Sequence, residues 1–138
     1  MLVFYRAANR KIEVDFSKFN VSVEKKILTK RFLLIDHNQR VVHESTLYLF
    51  TPLGLSLGLF NKVIGNCKTD EIYRGRGLYG MMIAYICENY CRSLPILFVE
   101  ESNFPSIKGL EKVGFEAIDR FSIKKRILKG LFYLVERN

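Results

Sequence analysis

Alternating polar and apolar residues in the first half of the chain predict a series of strands. Short alternations cover residues 11–16 and 20–23, and a firmer one covers residues 31–35. The turn-forming segment 36–39 then leads into a β-branched and aromatic run at 41–50. Because such alternation buries one face of a sheet, this half of the chain predicts an antiparallel hairpin or meander.

The hydrophobic period changes from that of a strand to that of a helix in the second half. Residues 51–61 form an apolar loop broken by proline and glycine, 62–69 continue as a strand, and 70–74 are a charged connector. From Gly77 apolar residues recur every three or four positions, which predicts an amphipathic helix ending near Tyr90.

The remaining elements complete a mixed pattern. An apolar run at 96–99 predicts a buried strand, and Pro105 and Gly114 suit the start and the end of a second helix. A final hairpin is predicted from strands at 115–123 and 131–135 around a basic turn at 124–130. The order of elements predicts an α+β fold, a mixed and mostly antiparallel sheet flanked by helices.

Length and composition fit a single globular domain over residues 1–138, although residues 1–30 are poorly assigned. The chain is 49% hydrophobic and 26% charged, which is a globular balance. Residues 1–10 lack the pattern of a signal peptide, and the longest apolar stretch, 47–60, is too short and too broken to cross a membrane. We therefore expect a cytoplasmic protein without a membrane span, and a homodimer stays open.

The formal charge of +8 favours an anionic partner. Nucleic acid is one alternative, through the N-terminal segment and the basic turn at 124–129. The aromatic interleaving typical of such surfaces is missing, so we expect no nucleic-acid partner. Three cysteines (Cys67, Cys87 and Cys91) and two histidines (His37 and His43) are too few and too scattered to predict a metal site.

One segment predicts an anion site. Residues 73–80 read Tyr-Arg-Gly-Arg-Gly-Leu-Tyr-Gly between a predicted strand and a predicted helix. Glycines allow close approach of the backbone, and the first N–H groups of a helix have no intrahelical partner. Arg74 and Arg76 add two charges that can bind phosphate oxygens. We therefore expect a pyrophosphate or a similar group here.

Two nucleotide-binding interpretations of this segment compete, and the first is a dinucleotide site. The spacing Gly75-x-Gly77-x-x-Gly80 matches a dinucleotide fingerprint, and Glu100 lies about 20 residues onward, where a ribose ligand is expected. Against it, five residues separate the strand from the first glycine, and too little chain follows for a doubly wound sheet. A turn without ligand is a further alternative.

The same segment resembles the R/Q-x-x-G-x-G/A motif of the Gcn5-related N-acetyltransferase (GNAT) superfamily, with Tyr79 at the last position. A second block supports the resemblance: Asn103, Ser106, Glu111, Lys112, Gly114 and Phe115 fit N-x-x-A-x-x-x-Y-E-K-x-G-F. The resemblance covers residues 31–138. Within the superfamily, residues 43–45 and 64–69 are similar to small bacterial enzymes of amino-sugar or surface-polysaccharide pathways.

The resemblance implies a sheet that a bulge in strand 62–69 splits into a V, and a site for acetyl-CoA as co-substrate, without metal. The pantetheine would lie along Cys67, Lys68 and Thr69, and the pyrophosphate on the loop and helix start. Asn103 would bond the pantetheine, unless it only caps its helix, and Ser106 lies in the same block. The implied cofactor-binding loop is Arg74, Gly75, Arg76, Gly77, Leu78, Tyr79 and Gly80.

The implied reaction is the attack of a small-molecule amine, such as that of an amino sugar, on the thioester. Many members use a Tyr to protonate the leaving thiolate, but Leu110 occupies its place here. Candidate replacements are Tyr79 as acid and His43 or Glu44 as base. His43 and Glu44 are neighbours on one strand, so at most one should face the cleft. The alternative is a CoA-binding regulatory module without catalysis.

Overall fold

The structure is a computed structural model that describes residues 2–7 and 13–138. Its strands are β1 (Leu2–Ala7), β2 (Asn20–Lys25), β3 (Thr29–Ile35), β4 (Val41–Tyr48), β5 (Val63–Thr69), β6 (Ile96–Glu100), β7 (Phe115–Ile127) and β8 (Phe132–Arg137). Its α-helices are α1 (Pro52–Ser56), α2 (Leu78–Tyr90) and α3 (Phe104–Lys112).

All eight strands form one sheet in the order β2-β3-β4-β5-β6-β1-β7-β8. Neighbouring strands are antiparallel, except that β5 and β6 pair in parallel. Helices α2 and α3 pack on one face over the main core, and α1 packs over a smaller cluster around Leu57 and Phe121. The predicted α+β class is confirmed.

The N-terminal strand β1 was not predicted, and it lies inside the sheet between β6 and β7. Val3, Tyr5 and Ala7 are buried, with Val3 opposite Val99 and Tyr5 opposite Leu97. These three residues alternate with others along the strand, as a period of two requires.

The predicted strand at 11–16 is wrong where it can be compared. Residues 11 and 12 lie outside the described part of the chain, and 13–16 have no regular structure. A turn at residues 16–19 follows them, in which the Phe19 N–H donates to the Phe16 carbonyl, and the Asp15 carboxylate accepts the Ser17 N–H at 2.9 Å. Such side-chain bonding to the local backbone favours turns over strands.

Three predicted connections contain more regular structure than expected. The loop at 51–61 includes α1, because Pro52 suits a first helical position and the Thr51 hydroxyl accepts the Gly54 N–H at 3.1 Å. The basic segment 124–127 continues β7, so the turn narrows to Leu128–Gly130. The charged connector at 70–74 contains a 3₁₀ turn, Glu71–Tyr73.

A bulge in β5 opens the sheet, as the resemblance implies. Along the β4–β5 ladder Glu44 faces Lys68 and Thr46 faces Gly65, so Ser45 alone faces two residues, 66 and 67. Asn66 has a φ of 52°, the left-handed conformation that bulges use. In the described residues β5 and β6 pair at one position, Val63 with Ile96. Beyond it the two strands part and leave a V-shaped gap.

Replacement of Gly80 by alanine should destabilise the protein. A Cβ there would lie 2.9 Å from the carbonyl oxygen of Gly109 in α3 and 3.1 Å from Cγ1 of Val113. The clash should outweigh the helix propensity that alanine gains, for a net loss of about 1–3 kcal/mol in the free energy of unfolding. Urea denaturation measures it.

Gly65→Ala is the matched control, since its Cβ would meet its nearest neighbour, Tyr48 Cε2, at an ordinary 3.6 Å. Both substitutions lower the entropy of the unfolded chain alike. Equal stability of the two variants would contradict the close helix crossing at Gly80.

Candidate active site

A cavity of about 490 Å³ lies where the V-shaped gap meets the start of α2; we call it the cleft. Strand β5, the loop before α2 and the first turns of α2 and α3 form its walls. Its lining consists of Cys67, Lys68, Thr69, Tyr73, Arg74, Gly75, Gly77, Leu78, Tyr79, Gly80, Pro105, Ser106, Lys108 and Gly109. The fold thus brings together most of the residues that sequence analysis predicted for cofactor binding.

The loop before α2 presents backbone N–H groups and positive charge to the cleft. Gly75 and Gly77 have φ of 77° and 76°, a conformation open to glycine but costly for other residues. Gly77 caps α2 without a side-chain hydrogen bond, and the Met81 N–H donates to the Gly77 carbonyl at 3.1 Å. The N–H groups of residues 78–80 therefore have no partner within the helix.

Arg74 reinforces this anion site, because it lines the cleft while its Nε donates to the Thr69 carbonyl at 3.4 Å. The helix dipole acts in the same sense. A pyrophosphate is a group that these donors fit, and the chemistry of the loop agrees with CoA as ligand.

Two predicted cofactor residues do not line the cleft. The Arg76 guanidinium stacks on the Tyr73 ring, with its Cζ 4.8 Å from the ring centroid, and faces another cavity. Asn103 caps α3, where its side-chain oxygen accepts the Ser106 N–H at 3.3 Å.

A chain of hydrogen bonds, buried in its middle and part-buried at its two ends, runs beneath the β5 bulge. His43 Nδ1 lies 2.7 Å from the Thr69 hydroxyl, His43 Nε2 lies 2.8 Å from the Ser45 hydroxyl, and the Ser45 hydroxyl donates to Cys67 Sγ at 3.2 Å. Since Ser45 donates onward to sulfur, the consistent tautomer carries its proton on Nε2, and Nδ1 accepts from Thr69. We call these four residues the buried relay.

Burial fixes the protonation of the relay. The His43 side chain is 1% exposed, and burial lowers its pKa to about 4 against a smaller opposing effect of Glu44. Burial also raises the pKa of Cys67 to about 11, which the Ser45 hydrogen bond partly offsets. At neutral pH the imidazole is uncharged and the thiol keeps its proton.

Of the three side chains predicted as catalytic, Tyr79 lines the cleft, and neither His43 nor Glu44 does so. Glu44 forms an ion pair with Arg31, and strand alternation puts it on the opposite face of β4 from His43. Both nitrogens of His43 are bonded within the relay. The structure therefore leaves neither residue free to act as a base in the cleft.

Tyr79 is placed between the relay and α3. Its ring centroid lies 6.1 Å from that of His43. The ring packs against Gly109 of α3, where a Cβ would lie 3.0 Å from Tyr79 Cδ1. Burial raises the pKa of the Tyr79 hydroxyl, while a hydrogen bond with Ser106 opposes the shift. The hydroxyl is protonated at neutral pH and can donate a hydrogen bond.

Leu110, at the expected position of the family tyrosine, is fully buried in the main core. It brings no hydroxyl to the site. Sequence reasoning missed Lys108, which lines the cleft, and Ser45, which bonds His43. Ser45 lies two residues after His43 and therefore on the same face of the strand, and this spacing could have linked the two.

The sheet with its bulged strand, and the cleft at the start of α2, define a fold of the GNAT type. A crystal structure of a candidate acetyltransferase of the GNAT family, from Novosphingobium aromaticivorans, matches with a TM-score of 0.59 and 17% sequence identity. The match covers 85% of this chain and 59% of that chain. No protein-family profile and no curated protein matches this sequence. The likeness establishes the fold.

Two further features concern the described residues. In 2–7 and 13–138 no helix combines the length and hydropathy needed to cross a bilayer. Within the same segments no group of three or more His, Cys, Asp or Glu side chains converges as a metal site would.

His43 should make stability depend on pH. Its pKa is about 4 in the folded protein and 6.5 as the ordinary value, so the unfolded chain binds the proton more tightly. The stability that the protein has with a neutral His43 is fully present above pH 6.5 and is lost as the pH falls towards 4. Between pH 7 and pH 4 this one group should reduce the free energy of unfolding by about 3 kcal/mol.

His43→Gln is the comparison, because it removes the titration while other groups stay the same. The difference between the pH profiles, measured by urea unfolding at each pH, isolates His43. Parallel profiles would show that the imidazole is not held neutral by burial.

Proposed function

We propose that the protein is an acyl-CoA-dependent N-acyltransferase that transfers an acetyl group from acetyl-CoA to a primary amine of a small molecule. The observation that carries the proposal is the cleft, where the backbone of β5 that β6 leaves unpaired meets the uncapped start of α2 and Arg74. The GNAT-type fold supports the assignment. An amino sugar is the proposed acceptor class.

The cleft offers a separate part for each section of the donor substrate. The N–H groups of residues 78–80 and Arg74 would bind the pyrophosphate. The free edge of β5 at Cys67, Lys68 and Thr69 would pair with the amides of the pantetheine, as an added strand would. Backbone N–H groups near the bulge would stabilise the oxyanion that forms on the thioester carbonyl.

The reaction forms an N–C bond and breaks the C–S bond. The amine must lose a proton first, since its ordinary pKa lies above neutrality. With His43 and Glu44 unavailable, that proton passes to solvent. The departing sulfur needs a proton, and the Tyr79 hydroxyl is the predicted catalytic group that lines the cleft. We assign Tyr79 as the proton donor.

A second candidate function is CoA binding without turnover. It is favoured by the full burial of Leu110 and by the removal of His43 and Glu44 from the cleft. The protein would then bind acetyl-CoA and release no thiol with any amine of a broad panel.

Calorimetric titration with acetyl-CoA tests the proposed site. The intact protein should bind, and Arg74→Gln should weaken binding by about 1–2 kcal/mol through the loss of a charged hydrogen bond. Arg92→Gln removes the same charge beyond the far end of α2, outside the cleft, and should leave the affinity unchanged. Absence of binding to the intact protein would overturn the proposal.

Replacement of Tyr79 by phenylalanine tests proton donation. If the hydroxyl protonates the leaving sulfur, kcat should fall by about 100-fold or more, with the affinity for acetyl-CoA nearly unchanged. Thiol release with an amine panel gives kcat, and calorimetry gives the affinity.

Tyr85→Phe is the control, because Tyr85 lies on the same helix among core residues, away from the cleft. A Tyr79→Phe variant with kcat as high as this control would exclude the hydroxyl as the donor.

A further inference from the structure

Three connecting segments meet at the end of the sheet away from the cleft; we call this end the loop edge. They are the β2–β3 turn (26–29), the residues after β4 (49–50) and the residues before β5 (60–62). The Leu49 N–H donates to the Leu28 carbonyl at 3.0 Å, and Tyr48 pairs with Val63. The cleft lies at the other end of β5.

The loop edge exposes large apolar side chains. Ile27 is 97% exposed and Phe60 is 82% exposed, and three others are close to half exposed: Leu28, Leu49 and Phe50. Ile27 lies in the β2–β3 turn, where Gly, Pro, Asn, Asp or Ser is the usual choice. Exposed apolar side chains that cluster mark a surface for interaction.

Basic side chains surround these apolar groups. They are Lys25, Lys26, Lys30, Lys62 and Arg92. Residues 25–35 and 45–69 contain no Asp or Glu. The residues that line the two cavities at this edge include one carboxylate, Glu88, beside Lys62 and Arg92. Five cations against one carboxylate leave the loop edge with a net positive charge.

The charge of the loop edge has a cost in the folded protein. Lys25 lies directly opposite Lys30 in the β2–β3 ladder, and like charges in that position destabilise a sheet. Glu24, next to Lys25, forms its ion pair with Arg31 instead. An anionic partner would remove this repulsion.

A small cavity joins the apolar and the basic groups into one surface. Its lining includes Lys26, Ile27, Leu28, Lys30, Leu49 and Lys62. Its volume of about 70 Å³ is far below the roughly 300–1,000 Å³ of small-molecule sites. The partner of the loop edge is therefore a surface and not a small molecule.

Charge and hydropathy together select the class of that partner. A second copy of the chain would bring the same cations face to face. Nucleic acid would neutralise the cations but would gain nothing from exposed aliphatic side chains such as Ile27 and Leu28. An anionic phospholipid surface fits both properties, because its interface takes up apolar side chains and its headgroups attract Lys and Arg.

We propose that the loop edge docks the protein on membranes that contain anionic phospholipids. Ile27 and Leu28 enter the headgroup region, and the surrounding cations bind the lipid phosphates. The cleft stays open to water in the docked protein, because it lies at the other end of β5. The inference does not depend on the proposed function, since it uses no residue of the cleft.

Flotation with lipid vesicles tests this docking. The protein should bind vesicles of phosphatidylglycerol mixed with phosphatidylcholine far better than vesicles of phosphatidylcholine alone, and rising salt should weaken the binding. Ile27→Ser should lower the partition coefficient by about fivefold or more. The double variant Lys25→Gln, Lys26→Gln should lower it by about tenfold or more. All three side chains are exposed, and thermal unfolding verifies that the variants are folded.

The β7–β8 turn supplies matched controls, because Leu128 and Lys129 are also exposed. Leu128→Ser and Lys129→Gln should leave the partition coefficient unchanged. The proposal is overturned if anionic vesicles do not bind the intact protein, or if only the two control substitutions weaken binding. It is also overturned if the protein sediments without lipid as a dimer that Ile27→Ser dissociates, which would assign the loop edge to a second copy.

Discussion

The site depends on one extra residue in β5. Because Ser45 faces two residues of β5 instead of one, the strand bends away from β6 and keeps the polar groups of one edge unpaired. Unpaired backbone groups are tolerated where water or a ligand can reach them. Asn66 holds the left-handed conformation of the bulge, one of the few non-glycine residues to which this costs little. The fold thus leaves an edge of β5 free for binding, because most of the hydrogen bonds between β5 and β6 are not formed.

The buried relay stabilises that bulge from below. His43 bonds Thr69 directly and reaches Cys67 through Ser45, so the relay joins residues of β5 on its cleft side to β4. In the described residues, every buried side-chain nitrogen or oxygen has a hydrogen-bond partner. A satisfied polar network in a low-dielectric interior is rigid and specifies one geometry. The structure therefore makes His43 a positioning residue, whereas its residue type alone had suggested a base.

Features that depend on local interactions could be predicted from the sequence, and features that depend on contacts between distant residues could not. Strong periodicity identified α2 and the strands from β3 to β6, and the Gly and Arg residues of 74–80 located the anion site, because these signals are local. The short α1 depends on one capping hydroxyl, Thr51, within an apolar run that hides it. The separation of Arg74 from Arg76 depends on the φ of Gly75. The burial of His43 depends on residues more than 20 positions away.

Strand β1 has a consequence for how the chain folds. It pairs with β6 and β7, and its partners in both strands lie 90 or more positions later in the sequence. Two separate sections of the sheet, β2 to β5 and the β7–β8 hairpin, can form through contacts between near neighbours in sequence. The join between them requires β1 to pair with β6 and β7, and contacts at such separation in sequence form slowly. During synthesis, β1 is paired on both sides only after β7, which lies more than 100 positions later, has been made.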